Sequence, residues 1–427
     1  MKNYLSKKQE EKYKNIYSTV TKIENPKFEV INNGIIVPPA IDKNGKLDFK
    51  KSLEDTYGVL QEDMNNFSKF SQRHTEIKIE LPKQIKVETY LDDKVVYIGL
   101  IGARKMFSYG DYLIEPIARL WIFLERPELL ECKVCCFIDE CNKIPFGLLE
   151  LFGIKKENII KIDKNTKVRE IIVPQNCFPI YGRKYSEKIN FVIDKIKKNI
   201  KSKNYKKIYL SRSKLAAEKK TYGEIIIEKQ FKKNGFKIIY PEKYSLKEQI
   251  AILKDCEFLA GTIGSNMHNA IFCNNNIKVA YLSRSSDINP NQIAIDKMKG
   301  FDVYNIEAHS HIFKSYYYGV PYLLEFSNNL KMFFKDNGFK CDNNTNMDNE
   351  LLAFIKAFSN NKNVRNNYFN IYNDTELSIL NNFRKILKRQ TYQMPLYRKL
   401  QYEFKLWHYL KTGKFSKAKK YYARLYR

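Results

Sequence analysis

The sequence alternates short apolar runs with amphipathic segments between residues 95 and 282, and this alternation constrains the fold more than any other feature. Residues 95–100 and 278–282 have the length of buried strands, whereas 112–125 carries apolar residues at helical spacing. Strand–helix–strand units of this kind place their strands parallel and cover them with helices. The sequence therefore predicts an α/β protein.

Four regions are predicted along the 427 residues. They are a β-rich N-terminal extension with strand-like runs at 35–39 and 77–81, two consecutive α/β units, and a linker with a basic helical tail. The predicted bounds are 1–90, 91–185, 186–325 and 326–427. Two α/β units in series predict a ligand-binding cleft between them.

The formal charge of +28 is concentrated in two segments. Residues 183–220 contain 14 basic and 3 acidic residues, and residues 384–427 contain 14 basic residues and Glu403 alone. The tail interleaves these charges with aromatic residues, which fits a helix with a solvated basic face, contact with an anionic membrane surface, or nucleic-acid binding. We favour the first and rank nucleic acid last, because no recognised nucleic-acid-binding motif accompanies the charge.

No secretory signal and no metal site are expected. The N-terminus lacks an apolar core, and the most apolar run, 95–103, is about half a bilayer span. We expect a cytoplasmic protein and leave peripheral contact at the inner face of the cell membrane open. Cys132, Cys135, Cys136 and Cys141 are spaced like a metal cluster, but residues 132–138 fit a buried strand in which cysteine packs as a small apolar residue. No second Cys pair or His pair follows at zinc spacing.

Residues 259–272 run from an apolar strand end through two glycines into a helix-like segment. Gly261 and Gly264 predict a tight turn or a close approach of a ligand to the backbone, and Ser265 is a good N-cap. A helix N-terminus of this kind is a seat for a phosphate. An ordinary strand-to-helix turn is the alternative interpretation.

Two further strand ends carry polar residues. Arg212 follows the strand predicted at 207–211, and Glu242 follows the one at 237–240, with Gln249 on the next helix. Ligands of open α/β sheets bind beyond the carboxyl ends of the strands. An arginine can grip a pyrophosphate, and a carboxylate can accept hydrogen bonds from ribose hydroxyls.

The ordered series of these motifs resembles the catalytic domain of glycosyltransferase family 61, particularly its bacterial members linked to capsular and lipopolysaccharide synthesis. The series runs through Ser211-Arg212, Glu224, Gly235-Phe236, Pro241-Glu242, Ser245-Leu246, Gln249-Ile250, Gly261, Gly264-Ser265, His268-Asn269 and Phe272. Tyr109, Gly110, Glu115 and Arg119 are similar to a first-domain motif of the family. The likeness covers about residues 95–282.

The resemblance implies a GT-B-like fold of two Rossmann-like domains with an interdomain cleft. It also implies transfer from a nucleotide-sugar donor with inversion at the anomeric carbon and without an essential metal or further cofactor. The acceptor would be a glycan or a lipid-linked glycan of surface polysaccharide synthesis. The donor-binding residues it implies are Arg212, Glu242, Gln249, Gly261, Thr262, Gly264, Ser265, His268 and Asn269.

Two positions depart from the family, because Asp111 and Ile263 stand where relatives usually have His. A transferase of this type needs a base near the acceptor hydroxyl, and we assign this role to Asp111 or Glu115, slightly favouring Asp111. Asp111 could instead cap a helix, and Glu115 could pair with Arg119 on a solvated helix face.

Other roles stay open. His268 could meet the sugar or acceptor or pack in the core, and Arg104 and Lys105 could bind phosphate or form a basic loop. A polysaccharide pyruvyltransferase-like enzyme is an alternative function, since its Gly-Asp motif is similar to Gly110-Asp111. A non-catalytic nucleic-acid-binding protein is a second alternative.

Overall fold

The protein is an α/β protein built on two six-stranded sheets, one mixed and one fully parallel. The computed structural model describes residues 2–39, 57–62, 66–71, 85–101, 109–138, 143–216, 219–309, 321–342, 347–360, 402, 405–406 and 415–426. The strands are β1 (Lys2–Tyr4), β2 (Thr21–Lys22), β3 (Phe28–Val37), β4 (Gly58–Leu60), β5 (Thr89–Ile101), β6 (Lys133–Ile138), β7 (Ile159–Ile160), β8 (Thr166–Pro174), β9 (Lys184–Tyr185), β10 (Lys207–Leu210), β11 (Thr221–Tyr222), β12 (Lys237–Ile239), β13 (Phe258–Thr262), β14 (Lys278–Ser283), β15 (Asp302–Glu307) and β16 (Tyr322–Leu323).

The α-helices lie between and after these strands. They are α1 (Lys7–Thr19), α2 (Tyr109–Ile114), α3 (Ile122–Glu125), α4 (Lys143–Phe152), α5 (Lys188–Lys197), α6 (Glu224–Lys233), α7 (Leu246–Leu253), α8 (Pro290–Lys299), α9 (Asn328–Asp336), α10 (Asp348–Asn360) and α11 (Phe415–Tyr426). Ser245 caps α7 through a complete capping box with Glu248. The predicted alternation of strands and helices is thus confirmed through most of 95–282.

The first sheet has the order β4-β3-β8-β5-β6-β7. Strand β3 runs antiparallel to both neighbours, whereas β8, β5, β6 and β7 run parallel. The predicted strand at 35–39 is therefore the end of β3. The strand predicted at 77–81 lies outside the described residues.

The second sheet has the order β1-β15-β14-β13-β10-β12 and is parallel throughout. Strand β12 pairs with one side of β10, and β13, the next strand along the chain, pairs with the opposite side of β10. The strand order therefore reverses between β10 and β13. This is the position at which open α/β sheets leave a crevice beyond their carboxyl ends.

Helices cover both faces of the second sheet. On one face, Phe231 of α6 and Phe333 of α9 pack with Tyr209 and Phe258. The other face belongs to a hydrophobic core that also includes Val96 and Trp121 of the first unit. One continuous core therefore joins the two sheets.

The N-terminal segment is shared between the two sheets. Strand β1 pairs with β15 at the edge of the second sheet, and β3 and β4 form the antiparallel edge of the first. Strands β1, β3 and β4 of predicted region 1–90 thus extend the two sheets, whereas β2 pairs with β9 in a separate two-stranded sheet.

The continuous helix predicted at 112–125 is wrong. Helix α2 ends at Ile114, a 3-10 turn covers Glu115–Ile117, and α3 begins only at Ile122. Pro116 lacks the N–H that a helix interior needs, so it stands at the start of the 3-10 turn. A solvated Glu115–Arg119 pair is also wrong, because these side chains are 4% and 3% exposed.

The cysteine-rich segment forms strand β6 as predicted, with Cys135 and Cys136 buried. Burial raises the pKa of the Cys136 thiol to about 12, so it stays protonated. Cys141 lies outside the described residues, and the described ones contain no metal-binding cluster of His, Cys, Asp or Glu.

The described parts of the basic tail pack against one another. Arg424 of α11 lies over the rings of Tyr402 and Tyr421, and Lys405 lies over Tyr421. Lys417 and Lys420 are exposed on α11. Among the residues with a described structure, no helix is both long and apolar enough to cross a membrane.

Arg119 connects three segments of the chain around the first sheet. Its buried guanidinium donates to the carbonyls of Phe70, Ile98 and Pro174 at 2.8, 2.9 and 3.1 Å. We expect Arg119→Lys to lower the free energy of unfolding by about 3 kcal/mol, because one ammonium cannot satisfy three buried carbonyls in this geometry. Urea unfolding measures this change. The exposed-pair control Arg126→Lys should stay within about 0.5 kcal/mol of the wild type, and equal losses would contradict the assignment.

Candidate functional site

The candidate site lies where strands β10 and β13 end side by side. Leu210 pairs with Gly261, so the loops after these strands leave the sheet at the same edge. Arg212 stands two residues beyond β10, and Gly264 two residues beyond β13. The structure therefore brings the predicted arginine and the predicted glycine turn to the point where the strand order reverses.

The two predicted turn glycines have different roles. Gly264 has a φ of +152° and a ψ of −172°, a conformation that a residue with a Cβ adopts only under strain. Gly261 instead lies inside β13, where a Cβ would stand 2.7 Å from the Leu210 carbonyl oxygen and 2.6 Å from Met267 Sδ. The prediction that Gly261 belongs to the turn is wrong, because close packing requires a glycine there.

The predicted N-cap at Ser265 is also wrong. Gly264 occupies the cap position without a side-chain hydrogen bond, and Ser265–Phe272 is a 3-10 helix. Asn266 follows at the crevice, where its Nδ2 lies 3.5 Å from the Leu210 carbonyl oxygen. Its buried Oδ1 has no partner in the described part of the chain.

Glu224 is a fully buried carboxylate beneath the Arg212 loop. The Thr262 and Tyr209 hydroxyls donate to its Oε1 at 2.6 and 3.0 Å, and the Arg212 backbone N–H donates to its Oε2 at 3.0 Å. Burial raises the pKa of Glu224 to about 7, although the bond from Thr262 favours the charged form. Glu224 therefore holds β10, β13 and the Arg212 loop together.

Glu228 secures the other side of the same loop. The Ser211 hydroxyl donates to its Oε1, and the Tyr240 hydroxyl donates to its Oε2 at 3.0 Å. Glu228 stands four residues after Glu224 on α6, so both carboxylates face the strand ends. Sequence reasoning missed Glu228, and only its i, i+4 spacing from Glu224 could have indicated it.

The Arg212 guanidinium is charged and has unused hydrogen-bonding capacity. Its Nη2 donates to the Lys219 carbonyl at 3.2 Å, whereas its buried Nε lacks a partner in the described residues. Burial, followed by the positive charge of Arg284, lowers the pKa of Arg212 to about 10. At neutral pH the arginine therefore keeps its charge and can donate to an anion.

Arg284 is a second cation at this edge that sequence reasoning missed. It directly follows β14, and a Cβ at Gly264 would stand 3.0 Å from its Cζ. The residues around it match no familiar motif. Only the pairing of β13 with β14 places it at the glycine turn.

Of two predicted donor-binding residues, Glu242 is exposed and Thr262 is buried. Glu242 is exposed on the turn after β12, and its charge favours the charged form of Arg212. Thr262 is buried, and its hydroxyl already donates to Glu224. The predicted contact of Glu242 with a ribose stays a prediction, while the Thr262 side chain serves the Glu224 network.

Gln249 and Asn269 connect the second unit to the predicted first-domain motif. The partly buried Tyr109 hydroxyl lies 2.7 Å from Gln249 Oε1 and 2.8 Å from Asn269 Oδ1. Their amide groups donate to the Tyr244 and Asn266 carbonyls at 3.0 Å. Both side chains thus form protein contacts, and their role toward a donor stays a prediction.

His268 packs directly against the same motif. It is buried, and a Cβ at Gly110 would stand 2.1 Å from its Nδ1, so only glycine fits beside the ring. Burial lowers the pKa of His268 to about 4, which leaves the imidazole neutral at pH 7. The core-packing interpretation of His268 thus agrees with its burial.

Asp111 lies on α2, the helix whose Gly110 contacts His268, and Glu115 directly follows this helix. Asp111 is the third residue of α2 and 2% exposed, so its interpretation as an N-cap is wrong. Glu115 begins the 3-10 turn and is buried as well. Arg104 and Lys105 lie outside the described residues.

One comparison with known proteins covers most of the residues of this site. A family model described as Glycosyltransferase 61 matches residues 109–280, from the start of α2 into β14. No curated protein sequence matches the chain. The match supports the predicted resemblance to glycosyltransferase family 61 and, with it, a glycosyltransferase activity.

A pH-dependent stability is expected from Glu224. Because its pKa is raised in the folded state, its contribution to stability is present below about pH 4.5 and is lost as pH rises through about 7. Glu224→Gln removes this loss, so the variant should gain up to about 3 kcal/mol on the wild type between pH 4.5 and 7.5. Urea unfolding at several pH values measures the difference. The exposed Glu257→Gln should show no such trend, and a flat difference for Glu224→Gln would contradict the prediction.

A substitution at Gly264 is expected to lower both the stability of the fold and the catalytic activity. We expect Gly264→Ala to cost about 1–3 kcal/mol of stability through its φ and to lower kcat/KM at least tenfold by displacing Arg284. Gly153→Ala is the matched control, since Gly153 has a φ of +111° and open space around its Cβ position. It should lose stability but keep kcat/KM. Equal activity of the two variants would argue against a functional Gly264 turn.

Proposed function

We propose that the protein is an inverting, metal-independent glycosyltransferase that uses a nucleotide-sugar donor. The observation that carries this proposal is the charged Arg212 beside the Gly264 turn, at the reversal of strand order in a parallel sheet. Nucleotides bind open α/β sheets in this crevice. The family match over residues 109–280 supports sugar transfer as the reaction.

The donor diphosphate would bind between the loops after β10 and β13. Arg212 offers a partner-free Nε, and the turn at Gly264 allows a phosphate to approach the backbone. The exposed carboxylate of Glu242, near Arg212, would accept hydrogen bonds from the ribose. Burial of the Nε strengthens its interaction with an anion.

The proposed reaction is a single displacement. The acceptor hydroxyl oxygen forms a bond to the anomeric carbon as the bond from that carbon to the donor phosphate breaks, which inverts the configuration. The acceptor proton passes to a carboxylate, and the nucleoside diphosphate leaves with the electron pair of the broken bond. Arg212 would stabilise the negative charge that develops on this leaving group.

We assign the base to Asp111 or Glu115. Support comes from their position, since α2 packs on the 3-10 helix that follows the Gly264 turn through Gly110 and His268. Asp111 is adjacent to Gly110 in the chain and is the favoured candidate. His268 is an unsuitable carrier of positive charge, because burial lowers its pKa to about 4.

The wider setting of the enzyme is part of the same proposal. Two sheets joined by one core support a GT-B-like arrangement of two Rossmann-like units. The acceptor would be a glycan or lipid-linked glycan of capsular or lipopolysaccharide synthesis at the inner face of the cell membrane. The exposed Lys417 and Lys420 of α11 suit contact with an anionic surface.

Arg212→Ala should remove most of the transfer activity. Without the guanidinium the leaving diphosphate loses a charge-assisted partner, so we expect kcat/KM to fall at least about 100-fold. The measurement is donor turnover with a panel of nucleotide sugars, with thermal unfolding recorded for each variant. A fold intact by thermal unfolding is part of the expected result.

Arg169→Ala is the matched control, because Arg169 is exposed and pairs only with Asp92 among the described residues. Its kcat/KM should equal that of the wild type. Wild-type activity in Arg212→Ala would overturn the phosphate assignment. Turnover of phosphoenolpyruvate instead of nucleotide sugars would favour a pyruvyltransferase.

A further inference from the structure

Arg284 lies at the candidate site but outside the segment that matches the family model. The match ends at residue 280, and Arg284 follows the end of β14. Thr262 pairs with Leu282, and the Ile263 N–H donates to the Leu282 carbonyl at 2.9 Å. This register places the residues after β13 and β14 side by side.

The Arg284 guanidinium lies on the glycine turn itself. A Cβ at Gly264 would stand 3.0 Å from both Cζ and Nη2 of Arg284. The glycine therefore leaves room for the guanidinium as well as adopting an unusual φ. A Cβ at position 264 would require this guanidinium to shift.

The orientation of the Arg284 guanidinium is set by an aromatic ring. Its Cζ lies 4.2 Å from the ring centroid of Tyr322 in β16, within the range of a cation–π interaction. Strand β16 pairs with β11, where the buried Thr221 hydroxyl has no partner in the described chain. Arg284 is thus held by stacking, and its N–H donors are not consumed by this contact.

The charges of Arg284 and Arg212 lie close enough to act on each other. After burial, the positive charge of Arg284 is the largest influence that lowers the pKa of Arg212. In the part of the chain that the structure describes, neither guanidinium forms an ion pair with a carboxylate. Two neighbouring cations without an ion-pair partner repel each other, and a bound anion with two negative charges would relieve this repulsion.

We propose that Arg284 and Arg212 act together as a two-arginine clamp for a diphosphate. The identity of this diphosphate as part of a nucleotide-sugar rests on the proposed function. The clamp supplies two positive charges at the leaving group, a role that a divalent cation fills in metal-dependent transfer. Arg284 is accordingly a donor-binding residue contributed by β14.

The test is calorimetric titration of the full-length protein with inorganic pyrophosphate and, separately, inorganic phosphate. The variants are Arg284→Met, which keeps the apolar stem without the charge, Arg284→Lys, Arg212→Ala and the double variant. Arg169→Ala is the control for loss of a surface arginine. Thermal unfolding of each variant reports whether the fold is retained.

We expect the wild type to bind pyrophosphate more tightly than phosphate. Arg284→Met should raise the Kd for pyrophosphate at least tenfold and the Kd for phosphate much less, and Arg284→Lys should restore part of the loss. The Kd of the double variant for pyrophosphate should rise by less than the product of the two single fold-changes, because each arginine alone holds the anion less well. The control should bind like the wild type.

Three results would overturn the clamp. The first is a wild type that does not bind pyrophosphate. The second is an unchanged Kd for pyrophosphate in Arg284→Met together with a raised Kd in Arg212→Ala. The third is an equal rise of the Kd for phosphate and for pyrophosphate in Arg284→Met. The second result leaves the proposed function intact. Conversely, a confirmed clamp in a protein that turns over no nucleotide sugar would overturn the proposed function alone.

Discussion

The site depends on one buried carboxylate, Glu224, at the start of α6. A reversal of strand order opens a crevice, and the loops beside it need an anchor that does not fill it. Glu224 receives hydrogen bonds from Tyr209, Thr262 and the Arg212 backbone, so its oxygens are occupied by uncharged donors. The Arg212 guanidinium is therefore positioned by Glu224 without being consumed in an ion pair with it.

The order of strands and helices could be predicted from the sequence because buried parallel strands are continuous apolar runs bounded by turn residues. The capping box at Ser245 was predictable for a similar reason, since it is a local interaction. The predicted helix at 112–125 and the cap at Ser265 were wrong. The first helix is interrupted because Pro116 lacks a backbone N–H, and the cap position before Ser265 is taken by Gly264 in a conformation that a residue with a Cβ adopts only under strain.

The site could be predicted only in part. Arg212 was identifiable because it follows a strand in a recognisable series, whereas Arg284 follows a strand in an ordinary polar loop. The proximity of Arg284 to Gly264 depends on strand register, which one sequence does not reveal. Gln249 and Asn269 were assigned to the donor, yet their contact with Tyr109 follows from how the two units pack.

That packing also bears on the proposed chemistry. The His268 ring occupies the space where a Cβ of Gly110 would lie, so α2 approaches the 3-10 helix as closely as backbone and imidazole allow. Asp111 is the next residue after this contact, and Ser265 precedes His268 by three positions. The separation of the proposed base from the Gly264 turn therefore depends on the contact between Gly110 and His268. In the proposed mechanism, the neutral His268 acts as a spacer that aligns the proposed base with the proposed donor-binding turn.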